Sequence, residues 1–262
     1  MKVCTLVSGS SGNSTYISDG TTSVLVDAGV TGKRIEAELA AIGVSPTDID
    51  AIFITHEHVD HIAGIGVLAR RYGIPIFANY RTMCWLKYYK KVVKIPEERL
   101  VVFENDTELE FKTLKVRPFS IPHDAADPVG YRFTSGGVSV AVSTDIGEVT
   151  DNIKRNVKGC AVVVLEANHD VEMLKKGPYT YLLKKRILGD HGHLSNDVSA
   201  SFARELAENG TETIILGHLS AENNTPELAL KTVRQGLEGQ ETACACRVLL
   251  APRHSHGEMI TC

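Results

Sequence analysis

Residues His56-Glu57-His58-Val59-Asp60-His61 crowd imidazoles and carboxylates into six consecutive positions, and the reading of the chain starts there. Just before them, Ile49 to Thr55 contains Ala51-Ile52-Phe53-Ile54, an apolar run that reads as a buried strand. Just after them, Ile62 to Tyr72 has helical apolar spacing at Ile62, Ile65, Leu68 and Ala69, closed by Gly73 and Pro75. Strand, ligand-rich loop, helix is the order expected where a site sits at the C-terminal ends of strands.

The pattern recurs along the chain. Val24-Leu25-Val26 is a short buried strand ending in a turn at Asp27. Pro118 to Pro122 is extended and ends at His123, and Val138 to Thr144 is a strand ending at Asp145. Cys160 to Leu165 ends at Glu166, with His169 just beyond, and Thr213 to Gly217 ends at His218. One dense cluster followed by single, spaced histidines points to a metal site assembled from several loops. Of the ten histidines, His191, His254 and His256 read as surface or loop-packing residues.

Composition narrows the class. The chain has 262 residues, 43% of them hydrophobic and 23% charged, enough for a substantial core and unlike a disordered chain. No apolar run reaches the roughly 18 residues of a membrane helix. The start, Met1-Lys2-Val3-Cys4-Thr5-Leu6-Val7, turns polar at Ser8, too short for a signal peptide, so a cytoplasmic protein is expected. Cys4, Cys84, Cys160, Cys244, Cys246 and Cys262 form no C-x-x-C pair and are expected as reduced thiols. The net charge of -4 argues against a wholly basic nucleic-acid coat. With no long linker, repeat or low-complexity tract, residues 1–262 are expected to form one domain. Two further helices are expected, Asn196 to Asn209 and Pro226 to Leu237.

The His56-x-His58-x-Asp60-His61 run resembles the signature of the metallo-β-lactamase superfamily. Asp27-Ala28-Gly29 is similar to its early Asp-x-Gly turn, and His123, Asp145 and His218 match its later motifs in order. The resemblance covers nearly the whole chain. It implies an α/β (α+β) fold, a four-layer αββα sandwich with metals at one edge. Histidine at 58 and 61 is unlike the flavodiiron oxidoreductases. The absence of cysteine among the later matches is unlike several true β-lactamases. Gly192-His193-Leu194-Ser195 and Leu216-Gly217-His218-Leu219-Ser220 are similar to ribonuclease Z-type motifs. With Ser8 to Ser14, Glu166-Ala167-Asn168-His169-Asp170 and Gly217 to Asn224, they look most like the small bacterial YycJ/WalJ-type subgroup, linked to DNA exonuclease activity. No long exosite arm of ribonuclease Z is evident.

The resemblance implies that His56, His58 and His123 hold one divalent metal ion. Asp60, His61 and His218 would hold a second, and Asp145 would bridge the two. Nitrogen and oxygen donors of this kind suit zinc best, with manganese or iron next. Metals so paired share a hydroxide that acts as nucleophile and offset charge on a phosphoryl oxygen. Asp60 has a competing role in accepting a proton from the water. Glu166 and His193 are candidates for orientation and for protonating the leaving oxygen, with His169 an equal competitor. Ser10, Ser11, Asn13 and His169 are the candidate substrate contacts, because a Gly/Ser turn exposes backbone N–H groups to anions.

Arg70 to Lys94 contains no acidic residue, and aromatics interleave its cations. Cations neutralise phosphates and aromatic faces stack bases, so this stretch reads as a nucleic-acid contact. It reads equally as an ordinary helix, Thr82 to Lys91, with Trp85 and Tyr89 packed inward. A second basic segment, Lys175-Lys176 and Lys184-Lys185-Arg186, lies between His169 and His193 as a flap over the site. The leading reading is a binuclear-metal phosphodiesterase acting on nucleic acid, with DNA first. The second is a small-molecule hydrolase: a cyclic phosphodiesterase, or a thioester or lactone hydrolase. A non-enzymatic metal-binding module stands third.

Overall fold

Strands that read as unbroken apolar runs do so because both of their faces are covered. The computed structural model describes residues 1–88, 94–238 and 245–262, so Tyr89, Lys90, Lys91 and Cys244 lie outside the described residues. Among the described residues, two seven-stranded sheets face each other. The first joins β14 (Ile260–Thr261), β1 (Lys2–Val7), β2 (Ser14–Ser18), β3 (Ser23–Val26), β4 (Ala51–Phe53), β5 (Ile76–Asn79) and β6 (Leu100–Phe103) in that order. The second joins β13 (Arg247–Leu250), β12 (Thr213–Gly217), β11 (Val162–Glu166), β10 (Val138–Ser143), β9 (Val129–Ser135), β8 (Leu114–Ser120) and β7 (Leu109–Phe111).

Side chains alternate across each strand and divide into three cores. Val24, Val26, Phe53, Val140, Val164 and Ile215 meet between the sheets. Leu25, Ile52 and Ile54 turn outward onto the helices α1 (Gly32–Ala41), α3 (Ile65–Tyr72) and α4 (Tyr80–Tyr88), through Ile35, Leu68 and Leu86 among others. Val163, Leu165, Ile214 and Leu216 turn outward on the other side. There they meet α5 (Asp151–Val157), α8 (Asn196–Glu208) and α9 (Pro226–Leu237). The layers are therefore α, β, β, α, as the resemblance implied. Remaining short helices are α2 (Val59–Ile62), α6 (Val171–Lys176) and α7 (Tyr181–Ile187).

Within each sheet four of the seven strands run parallel: β3 through β6 in one, β10 through β13 in the other. Parallel neighbours end on the same edge, so the residues after β3, β4, β10, β11 and β12 gather at one place.

Three expectations need correction. The helix expected from Ile62 to Tyr72 is broken into α2 and α3. Gly64 donates its N–H to the carbonyl of Ala28 (2.8 Å), and a Cβ there would stand 2.4 Å from the carbonyl of Val30. The break is where the turn after β3 docks. The helix expected from Thr82 begins at Tyr80, next to Asn79, whose side chain accepts the N–H of Thr82 (3.0 Å). Trp85, inward in the ordinary-helix reading and available for stacking in the other, is exposed, because Thr82, Met83 and Leu86 form the buried face. The described cysteines are all free thiols, Cys4 and Cys160 buried and pushed up to about 11 by that burial.

Candidate metal centre

Three of the strand-end residues hold the left-handed backbone conformation that side chains other than glycine rarely adopt. Asp27 has φ of 62°, Asp145 of 59° and His218 of 55°. Asp27 and His218 directly follow β3 and β12, and Asp145 follows β10 by one residue. Backbone strain of this kind survives only where surrounding contacts fix it, and it clusters at functional sites.

Asp27 is the anchor of the first loop. Thr55 donates its N–H to Oδ1 of Asp27 and its hydroxyl to Oδ2, both at 2.8 Å. Oδ2 also stands 2.7 Å from Nδ1 of His61. With the Thr55 hydroxyl proton committed to Asp27, its oxygen accepts from Nδ1 of His56, 3.0 Å away. His123 donates its Nδ1–H to the carbonyl of Gly192 (3.2 Å), and Nδ1 of His218 faces Oε1 of Glu166 (2.9 Å). Four imidazoles thus have one nitrogen held from behind, which fixes the tautomer and turns Nε2 forward.

The forward atoms converge in four groups, and Asp145 takes part in two of them, one with His56 and His61 and one with Glu166, His193 and His218. Ligand atoms of His56, His58 and His123 lie within 4.8 Å of one another, as do those of Asp60, His61 and His218. In the second group, Oδ2 of Asp60 is 3.6 Å from Nε2 of both His61 and His218. Asp145 lies between them. Its Oδ1 is 3.8 Å from Nε2 of His123, and its Oδ2 is 3.4 Å from Nε2 of His61.

The charges are balanced against burial. Burial alone would raise Asp145, but His218, His61 and His123 hold it below the usual carboxylate range. Burial opposes charge on His61, yet Asp27, Asp145 and Asp60 lift it to about 9. His218 is raised in the same way by Asp145, Asp60 and Glu166. His56 goes the other way, pushed well down by burial and by the imidazoles around it. Two buried atoms, Nε2 of His218 and Oδ2 of Asp145, have no hydrogen-bond partner. A buried polar atom without a partner is costly, and a cation beside each of them would satisfy it. The donor set of imidazole nitrogens and carboxylate oxygens fits a divalent metal.

Glu166, fully buried, links the centre to its opening. Its Oε1 is 2.8 Å from Nδ1 of His193, and its Oε2 accepts the N–H of Ile146 (2.8 Å) and of Leu194 (3.2 Å). Burial would raise it, but His193 and His218 hold its carboxyl far below the ordinary range. The His193 side chain is 20% exposed. His169 is placed differently. It is 1% exposed, both ring nitrogens lack partners, and burial lowers it to about 4. Among the described residues, His169 belongs to no group of converging ligand atoms.

The Gly/Ser loop abuts the centre. Asn13 is buried and donates from its amide to the carbonyl of Asp60 (3.4 Å) and to its Oδ2 (3.4 Å). Ser10 and Ser11 are exposed at the loop tip, and Ser8 accepts the N–H of His218 (2.9 Å). The second basic segment lies beside His123. Arg186 on α7 pairs with Asp124, whose other oxygen is 3.4 Å from Nε2 of His123.

Asp27, Thr55 and Ser8 carry functional contacts that the sequence reading left without a role. For Asp27 a signal existed, since it ends a buried strand as the other site residues do. Ser8 opens the Gly/Ser turn already singled out as an anion contact, and Thr55 gave no signal.

The comparisons with known proteins follow the same outline. A model described as a beta-lactamase superfamily domain matches residues 22–219. The chain is 44% identical over 232 residues to the exodeoxyribonuclease WalJ of Streptococcus pneumoniae serotype 2, covering 88% of this chain and 86% of that one. It is 40% identical over 233 residues to the exodeoxyribonuclease YycJ of Bacillus anthracis, covering 89% and 88%. The crystal structure of the metallo-beta-lactamase fold protein YhfI from Bacillus subtilis superposes with a TM-score of 0.73 over 98% of this chain and 100% of that one, at 17% identity.

Proposed function

This chain belongs to the metallo-β-lactamase superfamily, and from that premise we propose that it is a metal-dependent phosphodiesterase that removes nucleotides from the ends of DNA. The observation that carries the reading is Asp145, which stands between the two donor sets with Oδ2 3.4 Å from Nε2 of His61 and Oδ1 3.8 Å from Nε2 of His123 and 3.3 Å from Nδ1 of His218. The substrate is supported by the two relatives named exodeoxyribonucleases, which this chain matches over most of their length.

In this reading His56, His58 and His123 would hold one divalent ion, Asp60, His61 and His218 would hold a second, and Asp145 would serve both. Zinc is the first choice for the donor set, with manganese or iron next. Two such ions would lower the pKa of a water to about 7 and offset negative charge on a phosphoryl oxygen. The chain supplies the rest. Glu166 fixes His193 from behind at Nδ1 and turns its Nε2 to the opening, the position from which the ring, when protonated on both nitrogens, hands a proton to the departing ester oxygen. His193 suits this task better than His169, whose ring is sealed from the opening. Asp60 is 24% exposed where Asp145 is 3%, which favours Asp60 as the carboxylate that takes up a proton from water.

Tyr80, Trp85 and Tyr88 are exposed on α4 together with Arg81 and Lys87, which supports a strand of nucleic acid running across that helix. Residues 1–262 act as one catalytic domain in the cytoplasm, where DNA is found. Among the described residues no helix is long and apolar enough to cross a membrane. The test is incubation of the metal-loaded protein with end-labelled single- and double-stranded DNA and RNA. Stepwise release of mononucleotides from DNA is expected. Turnover of RNA alone, or of small diesters alone, would replace the reading.

A further inference from the structure

Val59 stands between two of the converging residues, His58 and Asp60, and is 74% exposed. An apolar side chain so exposed beside a polar centre has a use or a cover. It borders a cavity of about 750 Å³ that opens directly from Asp60. Val30, Ala37, Val59 and Ala63 give this cavity an apolar surface, and Lys33 lies at its rim. The volume falls within the roughly 300–1,000 Å³ of small-ligand sites.

The charges at the rim differ in availability. Arg34 is committed, its Nε paired with Glu38 at 2.7 Å and its guanidinium donating to the carbonyl of His254. Lys33 is exposed and, among the described residues, has no carboxylate partner. The exposed Ser10 and Ser11 complete the polar edge. An occupant of this cavity therefore combines an apolar body, an anionic group for Lys33, and a bond that reaches the donors around Asp60.

One unit of a DNA strand has that composition: a planar base, a sugar and a phosphate. We propose that this cavity is the subsite for the nucleoside next to the cleaved phosphate, with the base against Val59, Ala63 and Ala37 and the neighbouring phosphate on Lys33. The inference rests on the DNA-end reading above. It adds that strand-end selectivity comes from α1 and α2 and not from the metal donors.

The experiment uses metal-loaded protein and two variants, Lys33→Glu and Ala37→Trp, the second filling the cavity. Three quantities are read: the affinity for a deoxynucleoside monophosphate, KM and kcat on an oligodeoxynucleotide, and turnover of methyl p-nitrophenyl phosphate, too small to need the cavity. Affinity should fall and KM rise by roughly tenfold in each variant, with kcat and the small diester within about twofold. Lys33→Arg should restore binding. If the parent digests DNA and both variants match it in KM and nucleotide affinity, the subsite is wrong while the DNA reading stands. If the parent cleaves the small diester but never DNA, the DNA reading falls and the subsite with it. Lys33→Glu is a surface change, so it tests the idea even if Ala37→Trp folds poorly.

Discussion

Asp27 and His61 face each other at 2.7 Å, from Oδ2 to Nδ1, with neither side chain more than 3% exposed. The same carboxylate takes both hydrogens of Thr55, so one residue at the end of β3 sets the loop after β4 and the ring within it. Asp27→Asn keeps the shape but removes the charge that fixes the His61 tautomer. Metal affinity, measured by competition with a chelator, should fall by roughly 10–100-fold while the fold persists. An unchanged affinity would mean that His61 is oriented by its other neighbours.

The pH dependence of the metal-free protein follows from the imidazoles. His61 is raised to about 9 and His218 is raised as well, so their stabilisation is full below the ordinary histidine range and is lost as pH climbs toward 9. His169 is lowered to about 4, and His56 and His123 are lowered too. Their neutral forms are favoured in the fold, so stability falls as pH drops from the ordinary histidine range toward 4. Urea unfolding of chelator-treated protein should therefore show greatest stability near pH 6.5, declining on both sides. Metal uptake should strengthen between pH 6.5 and 9, because His61 and His218 must lose protons to bind. A flat titration across that window would contradict the charge assignments.

Much of this centre was legible because period and position coincide. His56, His123, Asp145, Glu166 and His218 each follow a buried run, and parallel strands end on one edge, so the sequence alone could gather them. The αββα order came from the resemblance, since the runs alone mark buried strands and not how two sheets and their helices stack. The break at Gly64 was not. It depends on the carbonyls of Ala28 and Val30, far enough away in the chain that helical spacing around Ile65 and Leu68 hides it. The burial of His169 was also hidden, since it depends on packing between the loop after β11 and Ser195, where the two backbone segments form a bridge. Nothing in the order of residues distinguishes it from His193.

Asp145→Asn separates charge from backbone. Asparagine tolerates the left-handed conformation, so the φ of 59° is kept while the shared anion is lost. Metal content should drop from about two ions per chain to about one or fewer, with hydrolysis down by about a thousandfold. Asp145→Ala should lose as much activity and also roughly 1–2 kcal/mol of stability from the backbone. Elemental analysis and thermal unfolding check the two parts separately. Two retained ions in Asp145→Asn would refute the shared-ligand role.

His193 and His169 divide on the leaving group. His193→Ala should slow DNA hydrolysis by roughly 10²–10⁴-fold, yet spare a p-nitrophenyl ester, whose departing oxygen needs no proton. His169→Leu fills the same buried space without polar atoms, and its melting temperature should match or exceed the parent's, because no partner is abandoned. Activity should change little. A leaving-group-dependent loss in His169→Leu would transfer the proton-donor role to it.

The exposed face of α4 decides between a strand contact and a solvated helix. Tyr80 and Tyr88 are 70% and 83% exposed, and Arg81 and Lys87 share their helix. Each phosphate neutralised contributes roughly 0.7 to the salt slope on single strands and 0.9 on duplex DNA. If both cations meet phosphates, Arg81→Glu with Lys87→Glu should flatten the slope by about 1.4 on single strands and weaken binding most at low salt. Turnover of a small diester should survive, since no donor around Asp145 is altered. The aromatic contribution reads out separately: Tyr88→Ala should weaken binding with the salt slope intact, because stacking releases no counterion. If the charge-reversed protein digests DNA as well as the parent at matched salt, α4 is a solvated helix. The strand would then reach the centre past α7, where the exposed Lys185 offers an alternative cation.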